Sequence, residues 1–319
     1  MLRHAGQPVL IWPLFIERRA LVRIARGAGV PISQYDEILV DPAFDKKAAF
    51  AAALDALRDT VRPDLVLLEG VRADSALRAA LRDVSPIGCG DAAPNIDLSQ
   101  GLAVALAMRK PYAAKQQRKR MKRFIKAGKS TVAIASSPAE AESWLVEALT
   151  LKRNWLRSTG RLSRAFVKAE TGNCLAGLAR ALSHPSASPR MVVAKLSLDG
   201  RTAAIEVGFV HRGAFQLYLR AFAPEFASLG PGNVLTERML EWCAENRIEI
   251  YDMLAPRSRN KAEWQSGEVG VEDFALPMTW RGRLYAATVP TLLAPTLRDA
   301  FYALPERLRS VIAGMALRM

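Results

Sequence analysis

The chain begins with short apolar runs of strand character: VLIWPLFI over residues 9–16, LVRIA over 21–25, a break at Gly27 and Gly29, then Ile38–Val40. Asp41 followed by Pro42 predicts a helix start, and Phe50, Leu54, Leu57 and Val61 recur at helical spacing until Pro63. Leu65–Leu68 predicts a short buried strand, and Asp74 and Ser75 introduce a second helix through Leu81. This first half is mixed α/β. Further on, Ser137-Pro-Ala-Glu140 has capping-box spacing and opens a helix running through Leu145, Leu149 and Trp155 to Gly160. Three strands follow over 191–198, 202–210 and 214–221, joined by Asp199-Gly200 and Arg212-Gly213, which predicts an antiparallel meander. Gly230-Pro231-Gly232 then opens a helix carrying Val234, Leu235, Met239, Leu240 and Trp242, and Ile248–Leu254 returns as a strand.

Length and charge refine this picture. The 319 residues fit two domains of roughly 150 residues each, and half of the residues are hydrophobic, enough for two cores. No apolar stretch approaches the ~18 residues that cross a bilayer, and the N-terminus has no small-residue cleavage site after an apolar segment. Cys89, Cys174 and Cys243 lie far apart with no CxxC pair, so a reducing cytoplasm is the expected compartment and no zinc site is expected. His4, His184 and His211 are equally scattered, which argues against a metal centre and against a Ser-His-Asp triad.

The net charge of +14 favours an anionic partner, although an Ala- and Arg-rich composition accounts for part of it. The one dense basic run, KQQRKRMKRFIKAGK, starts at Lys115, where the character of the chain changes. Lys115, Arg118, Lys119, Lys122, Arg123 and Lys126 would share one helix face. That stripe reads either as a solvated face or as a polyanion site. The expected division is 1–110, 111–285 and an amphipathic helical tail over 286–319. The tail sets Leu292, Leu293, Leu297, Phe301, Leu304 and Leu308 against Arg298, Arg307 and Arg309. Packing on the protein's own core is expected for it, with peripheral contact to an anionic membrane as the alternative.

Three features over residues 218–268 carry a family resemblance: Pro231-Gly232 before a helix, Tyr251-Asp252 on the next strand, and Lys261 followed by Trp264. With them the segment resembles the core of the GNAT-type acyltransferases called CelD-like, or cellulose-biosynthesis type, which are relatives of the Fem-type aminoacyl ligases. The resemblance extends more weakly over nearly the whole chain. It implies an α/β (α+β) fold of two tandem GNAT-like domains, the first degenerate. Family members usually have more sequence ahead of Gly6, so the first domain is expected to lack its opening helix and strand.

The resemblance also implies a chemistry. GNAT enzymes hold the pyrophosphate of coenzyme A on backbone amides at a glycine turn that opens a helix, and Gly230, Gly232, Asn233 and Val234 occupy that place. Ala227 replaces the usual long polar residue of this loop, and Pro231 removes an amide. An ordinary loop-to-helix turn is the competing reading. Asp252, among apolar residues on a central strand, is a positioning candidate, or a structural aspartate satisfied by the next loop. Lys261 corresponds to a lysine that stabilises developing charge in Fem-type relatives; the family's preceding tyrosine is Asn260 here, and a solvated loop cation is the alternative. Glu206, on a face with Ala204, Gly208 and Val210, lies where several GNAT enzymes place a general base, and a solvated glutamate is its competitor.

The expected function is therefore N-acyl transfer from acyl-CoA, such as acetyl-CoA, to an amine on a sugar, polysaccharide precursor or lipid intermediate, without a metal. One alternative is a Fem-like ligase drawing on aminoacyl-tRNA. Another is a non-catalytic GNAT scaffold that binds a polyanion. No other nucleic-acid partner is expected.

Overall fold

The computed structural model describes residues 1–316, and the chain divides into two compact units: Met1–Ala92 with Val269–Leu304, and Ala93–Glu268 with the segment from Pro305 onward. Both are mixed α/β.

In the first unit the strands Leu14–Arg19, Val22–Gly27, Leu65–Arg72 and Gly267–Pro277 are neighbours in that order. The first pair is an antiparallel hairpin, with Ile16 opposite Ala25. Val22–Gly27 and Leu65–Arg72 run parallel, a pairing that requires a crossover, and the helix Lys46–Thr60 lies within it. The apolar positions predicted for these elements form one core around Leu10, Ile38, Phe50, Leu68, Leu77 and Phe274. The first helix starts later than Asp41-Pro42 predicts. Asp41 instead closes a turn, accepting from the Ala43 N–H at 2.9 Å, and Asp45 caps the helix by accepting from the Ala48 N–H at 2.8 Å.

The second unit is built on the predicted meander. Arg190–Leu198, Arg201–His211 and Ala214–Phe222 pair antiparallel, and Ser130–Ile134 extends the sheet beside the first of them. Asp199-Gly200 and Arg212-Gly213 all have positive φ, the geometry of two-residue hairpin turns whose twist matches that of the strands. Ile250–Asp252 then runs parallel to Ala214–Phe222, but the pairing stops at Gln216 opposite Asp252. The strand from Leu217 to Phe222 therefore continues past the end of its neighbour. Pro138–Ser158 is capped by Ser137 and ends before Gly160, whose φ of +59° closes it as expected. A β-carbon at Gly160 would stand 2.7 Å from that of Arg309, so the helix Glu306–Ala316 packs against this turn, with Ala313 buried.

Core packing of the tail, as expected, holds for Ala286 and Ala313, but most of its large apolar side chains are in solvent. Leu292, Leu293 and Leu297 are 61%, 53% and 68% exposed, and Leu308 and Val311 face solvent too. Residues 317–319 of the tail lie outside the described residues. Among the described residues no helix is long and apolar enough to cross a membrane.

Candidate active site

The centre of the second unit is the junction where Ala214–Phe222 leads through a 3₁₀ turn, Pro224–Leu229, into the helix Pro231–Glu245. Gly230 takes φ +66° and ψ +48°, a left-handed conformation that glycine adopts without strain, and Pro231 follows at the first helical position. No side chain caps this helix. The Gly230 N–H donates to Ala227 O at 3.1 Å, and those of Asn233 and Val234 donate to Gly230 O at 3.1 and 3.3 Å. Pro231 has no N–H, and the Gly232 N–H, in the first turn, is unengaged among the described residues at a helix end that carries partial positive charge. Of the four expected donors to a phosphate, Gly232 is thus the one whose amide is open. Asn233 has a different occupation: its Oδ1 accepts from Trp264 Nε1 at 3.0 Å, and its carbonyl accepts from Gln117 Nε2 at 3.0 Å. Val234 turns its side chain into the core.

Two arginines stand against the two glycines. A β-carbon on Gly230 would lie 3.4 Å from Arg120 Cδ, and one on Gly232 would lie 3.3 Å from Arg220 Cδ. Arg120 arrives on the basic helix, Pro111–Ala127, which packs its Ala113, Gln117 and Phe124 face inward. Arg123 on the same helix donates to Ser228 O at 2.8 Å. The structure therefore brings the basic run to the glycine turn, a meeting that helical periodicity alone did not reveal. The six predicted stripe cations are all exposed, and Arg120, which was not among them, is the one beside Gly230. Arg120 is also ion-paired with Glu263 at 3.1 Å. Arg109 stacks over Trp264 with its guanidinium carbon 3.8 Å from the ring centroid, and its Nη2 is buried without a partner.

Glu206 is completely buried. Its Oε1 accepts from the Thr236 hydroxyl at 2.7 Å and its Oε2 from the Tyr251 hydroxyl at 2.8 Å, while Arg220 Nη1 donates to Thr236 at 2.5 Å and lies 3.6 Å from Glu206 Oε1. Burial pushes the Glu206 carboxyl above its ordinary range, against the opposing pull of Arg220 and the two hydroxyls. The same burial, together with Glu206 itself, holds the Tyr251 phenol far up and hence protonated. The face that reads as small and apolar in sequence is set by Gly208, where any β-carbon would collide with the Phe215 ring at 2.3 Å. Opposite it, Val207 pairs with Leu219 and Gly208 with Leu217, so Tyr218 is an extra residue that bends this strand.

Asp252 is buried, and its Oδ1 accepts from the Leu254 N–H at 2.7 Å, supporting a turn in which Leu254 has φ +58°. Lys261 lies on the short helix Arg259–Ala262, and its ammonium donates to Leu254 O at 2.7 Å and Pro256 O at 2.8 Å. The two residues therefore hold the same loop, both of them at Leu254 and Lys261 also at Pro256. The three motif pieces converge: Tyr251 reaches Glu206, Thr236 on the glycine-turn helix reaches Glu206, and Trp264 reaches Asn233. A separate cleft of about 220 Å³, lined by Met121, Phe124, Ile125, Val132, Val234 and Arg238, lies between the basic helix and the edge strand. Among the described residues no group of His, Cys, Asp and Glu is placed to hold a metal ion.

Comparison with known proteins agrees with this geometry. Residues 113–266 match the family described as Acetyltransferase (GNAT) domain. FemX has the same fold over 90% of this chain and 88% of its own, with 12% identity and a TM-score of 0.61. The C-terminal DUF2156 domain of a protein named for lysylphosphatidylglycerol synthetase, from Agrobacterium fabrum, covers 90% of this chain and 85% of its own at 13% identity and a TM-score of 0.59. For L-PGS from Bacillus licheniformis the shares are 90% and 89%, at 12% identity and a TM-score of 0.54. At such identities these likenesses speak for the fold alone. No curated protein matches the sequence. The stretch that matches the GNAT acetyltransferase domain thus lies within the second unit and contains the glycine turn, Glu206, Asp252 and Lys261.

Proposed function

We propose that the second unit transfers an acyl group from acyl-CoA, acetyl-CoA in the simplest case, to an amine on a sugar, polysaccharide precursor or lipid intermediate. The observation that carries this reading is the uncapped start of Pro231–Glu245, where the open Gly232 amide lies beside Arg220 and the neighbouring strand has already ended. The donor pyrophosphate would rest there, on the helix end and the two arginines. In the reaction the amine nitrogen attacks the thioester carbonyl, the C–N bond forms, the C–S bond breaks, and the thiol departs as the nitrogen loses its proton. Glu206 has both oxygens occupied, so we assign it to hold Arg220, Thr236 and Tyr251 in place. Asp252 and Lys261 are assigned to position the loop beyond the strand. The three free cysteines suit a reducing compartment, in keeping with a cytoplasmic enzyme.

A second reading, transfer from aminoacyl-tRNA, draws support from the loss of an amide at Pro231 and from the exposed stripe Lys115, Arg118, Lys119, Lys122, Arg123 and Lys126. Titration calorimetry with acetyl-CoA, a longer acyl-CoA and a charged tRNA separates the two. Micromolar binding of either thioester supports the first. Binding of the charged tRNA alone, with a steep salt dependence, would replace it with the second.

A further inference from the structure

Helix Pro138–Ser158 carries several charged residues, and most have partners. Glu142 is ion-paired with Arg180 and Glu147 approaches Lys195 at 4.0 Å, while Arg153 donates to the carbonyls of Phe166 and Lys168, each at 3.2 Å. Lys152 differs. It is half-buried, and among the described residues it has no carboxylate or hydrogen-bond acceptor. Its ammonium lies 4.4 Å from the Trp155 ring centroid, and the guanidinium of Arg161, just past the end of the helix, lies 5.3 Å from the same ring. The charges acting on it are both positive: Arg161 and, from strand Ala214–Phe222, Arg220. The acid behind Arg220 is Glu206, already engaged by Thr236 and Tyr251. Burial and these two cations push the Lys152 amine down to about 8. Two cations over one aromatic ring, with a third, Arg220, on the strand against which this helix packs, form an arrangement that costs stability until an anion arrives.

We propose that Lys152, Arg161 and Arg220 form a subsite for a phosphate group carried by the acceptor substrate. The proposal rests on the acyl-transfer reading. In that reading the donor's pyrophosphate is accounted for at the glycine turn, by Gly232 and the arginine on the basic helix. Lys152 and Arg161 belong to a different element from that turn, so we give them to the other substrate; the 3′-phosphate of CoA is the competing occupant, and CoA binding by the variants distinguishes the two. Trp155 gives that substrate an apolar wall, and Arg220 touches both sites and would hold the two anions in register. An amine acceptor bearing a phosphate, such as an amino-sugar phosphate or a phospholipid headgroup, has the matching chemistry.

The test is calorimetry on the full-length protein with inorganic phosphate and, separately, with CoA, comparing wild type with Lys152→Met, Arg161→Met and Lys152→Arg. Phosphate affinity is expected to fall at least tenfold in each Met variant while CoA affinity changes less than about threefold. In wild type, phosphate affinity should also fall as pH rises through about 8, where free Lys152 loses its proton, and Lys152→Arg should keep binding while abolishing that pH dependence. Without ligand, Lys152→Met should raise Tm, because it removes a like-charge repulsion. Equal losses for phosphate and CoA would assign these cations to the donor and overturn the proposal. So would phosphate binding that is absent in wild type or unaffected in the Met variants. If CoA fails to bind while phosphate binding depends on Lys152, the anion subsite stands and the donor reading falls. Titration with glucosamine 6-phosphate and with vesicles of anionic phospholipid then tells a soluble phosphate from a headgroup.

Discussion

The two units treat their clusters of charged groups differently. In the first, Arg26 is buried, pairs with Glu17 at 2.9 Å and with Glu69, and has Asp36 nearby, so positive charge is surrounded by acids and the cluster closes on itself. In the second, Arg220 has Glu206 beside it, while the charges acting on Lys152 are those of Arg220 and Arg161. One helix start in the second unit also stands apart. Lys46–Thr60 and Ala76–Ala80 are capped by the side chains of Asp45 and Ser75, whereas Pro231–Glu245 has no cap and is flanked by arginines. Charges that are neutralised by their own neighbours serve the fold, whereas cations left without acids are available to a ligand.

The largest effect should come from removing the central cation of each cluster. Arg26→Met leaves Glu17, Glu69 and Asp36 facing one another, and breaking a buried pair in this way typically costs about 3 to 5 kcal/mol. Arg220→Met should cost less, about 1 to 2 kcal/mol, because burial already holds the Glu206 carboxyl above its ordinary range and Thr236 and Tyr251 remain as its partners. Chemical denaturation of both variants checks this. An Arg220 variant less stable than the Arg26 variant would mean that the second cluster also serves the fold first.

Next in size is Lys261→Ala. Its ammonium holds two carbonyls of the loop after Asp252, so turnover should fall about tenfold or more, together with a lower Tm. A turnover loss with unchanged Tm would instead give Lys261 a direct part in stabilising charge, which typically amounts to ~100-fold. Gly232→Ala should have opposite effects on the two properties. Alanine favours the helix by up to about 1 kcal/mol, yet its methyl group would press on Arg220 at 3.3 Å, so acyl-CoA affinity should fall roughly tenfold at near-unchanged stability. The corresponding change in the first unit, Gly27→Ala, would drive a methyl group into Asp36 and lower stability with no ligand effect.

How far the sequence reveals these features depends on whether the cause is local. The hairpins at Asp199-Gly200 and Arg212-Gly213, the Ser137 cap and the Gly160 stop were legible because turn and cap chemistry acts within a few residues. The glycine turn was legible for the same reason. The start of the first helix was misread because Asp41-Pro42 and Asp45 both have cap character, and only side-chain geometry decides between them. The Arg220–Glu206–Thr236–Tyr251 cluster joins residues up to 45 apart in sequence, and no periodicity reports a contact of that kind. Glu206 stood out as a carboxylate on an apolar face, but that its oxygens are occupied became visible only in three dimensions. Lys152 gave no sequence indication at all, since a lysine on an amphipathic helix ordinarily faces water.

The smallest expected effect tests the self-contained side of the comparison, through Asp36. Burial, with the charges of Glu69 and Asp273 adding, pushes its carboxyl up to about 6, against the opposing N–H of Glu69 and the Arg26 cation. A folded-state value above the unfolded one means that the native state binds the proton more tightly, so this group's contribution to stability falls as pH rises from about 4 to about 6 and then levels off. Asp36→Asn removes the titration and keeps an oxygen to accept from the Glu69 N–H. Above pH 6 the substitution should therefore stabilise the protein, but by only about 1 kcal/mol, because the neutral amide also forfeits its attraction to Arg26. Below pH 4, where the wild-type carboxyl is protonated in both states, the gain should vanish. Thermal denaturation of the two proteins between pH 4 and 8 provides the check. A stabilisation independent of pH would show that Asp36 is not the titrating group, and a destabilisation above pH 6 would show that its charge is required by Arg26, making the first cluster as dependent on an added counter-charge as the second.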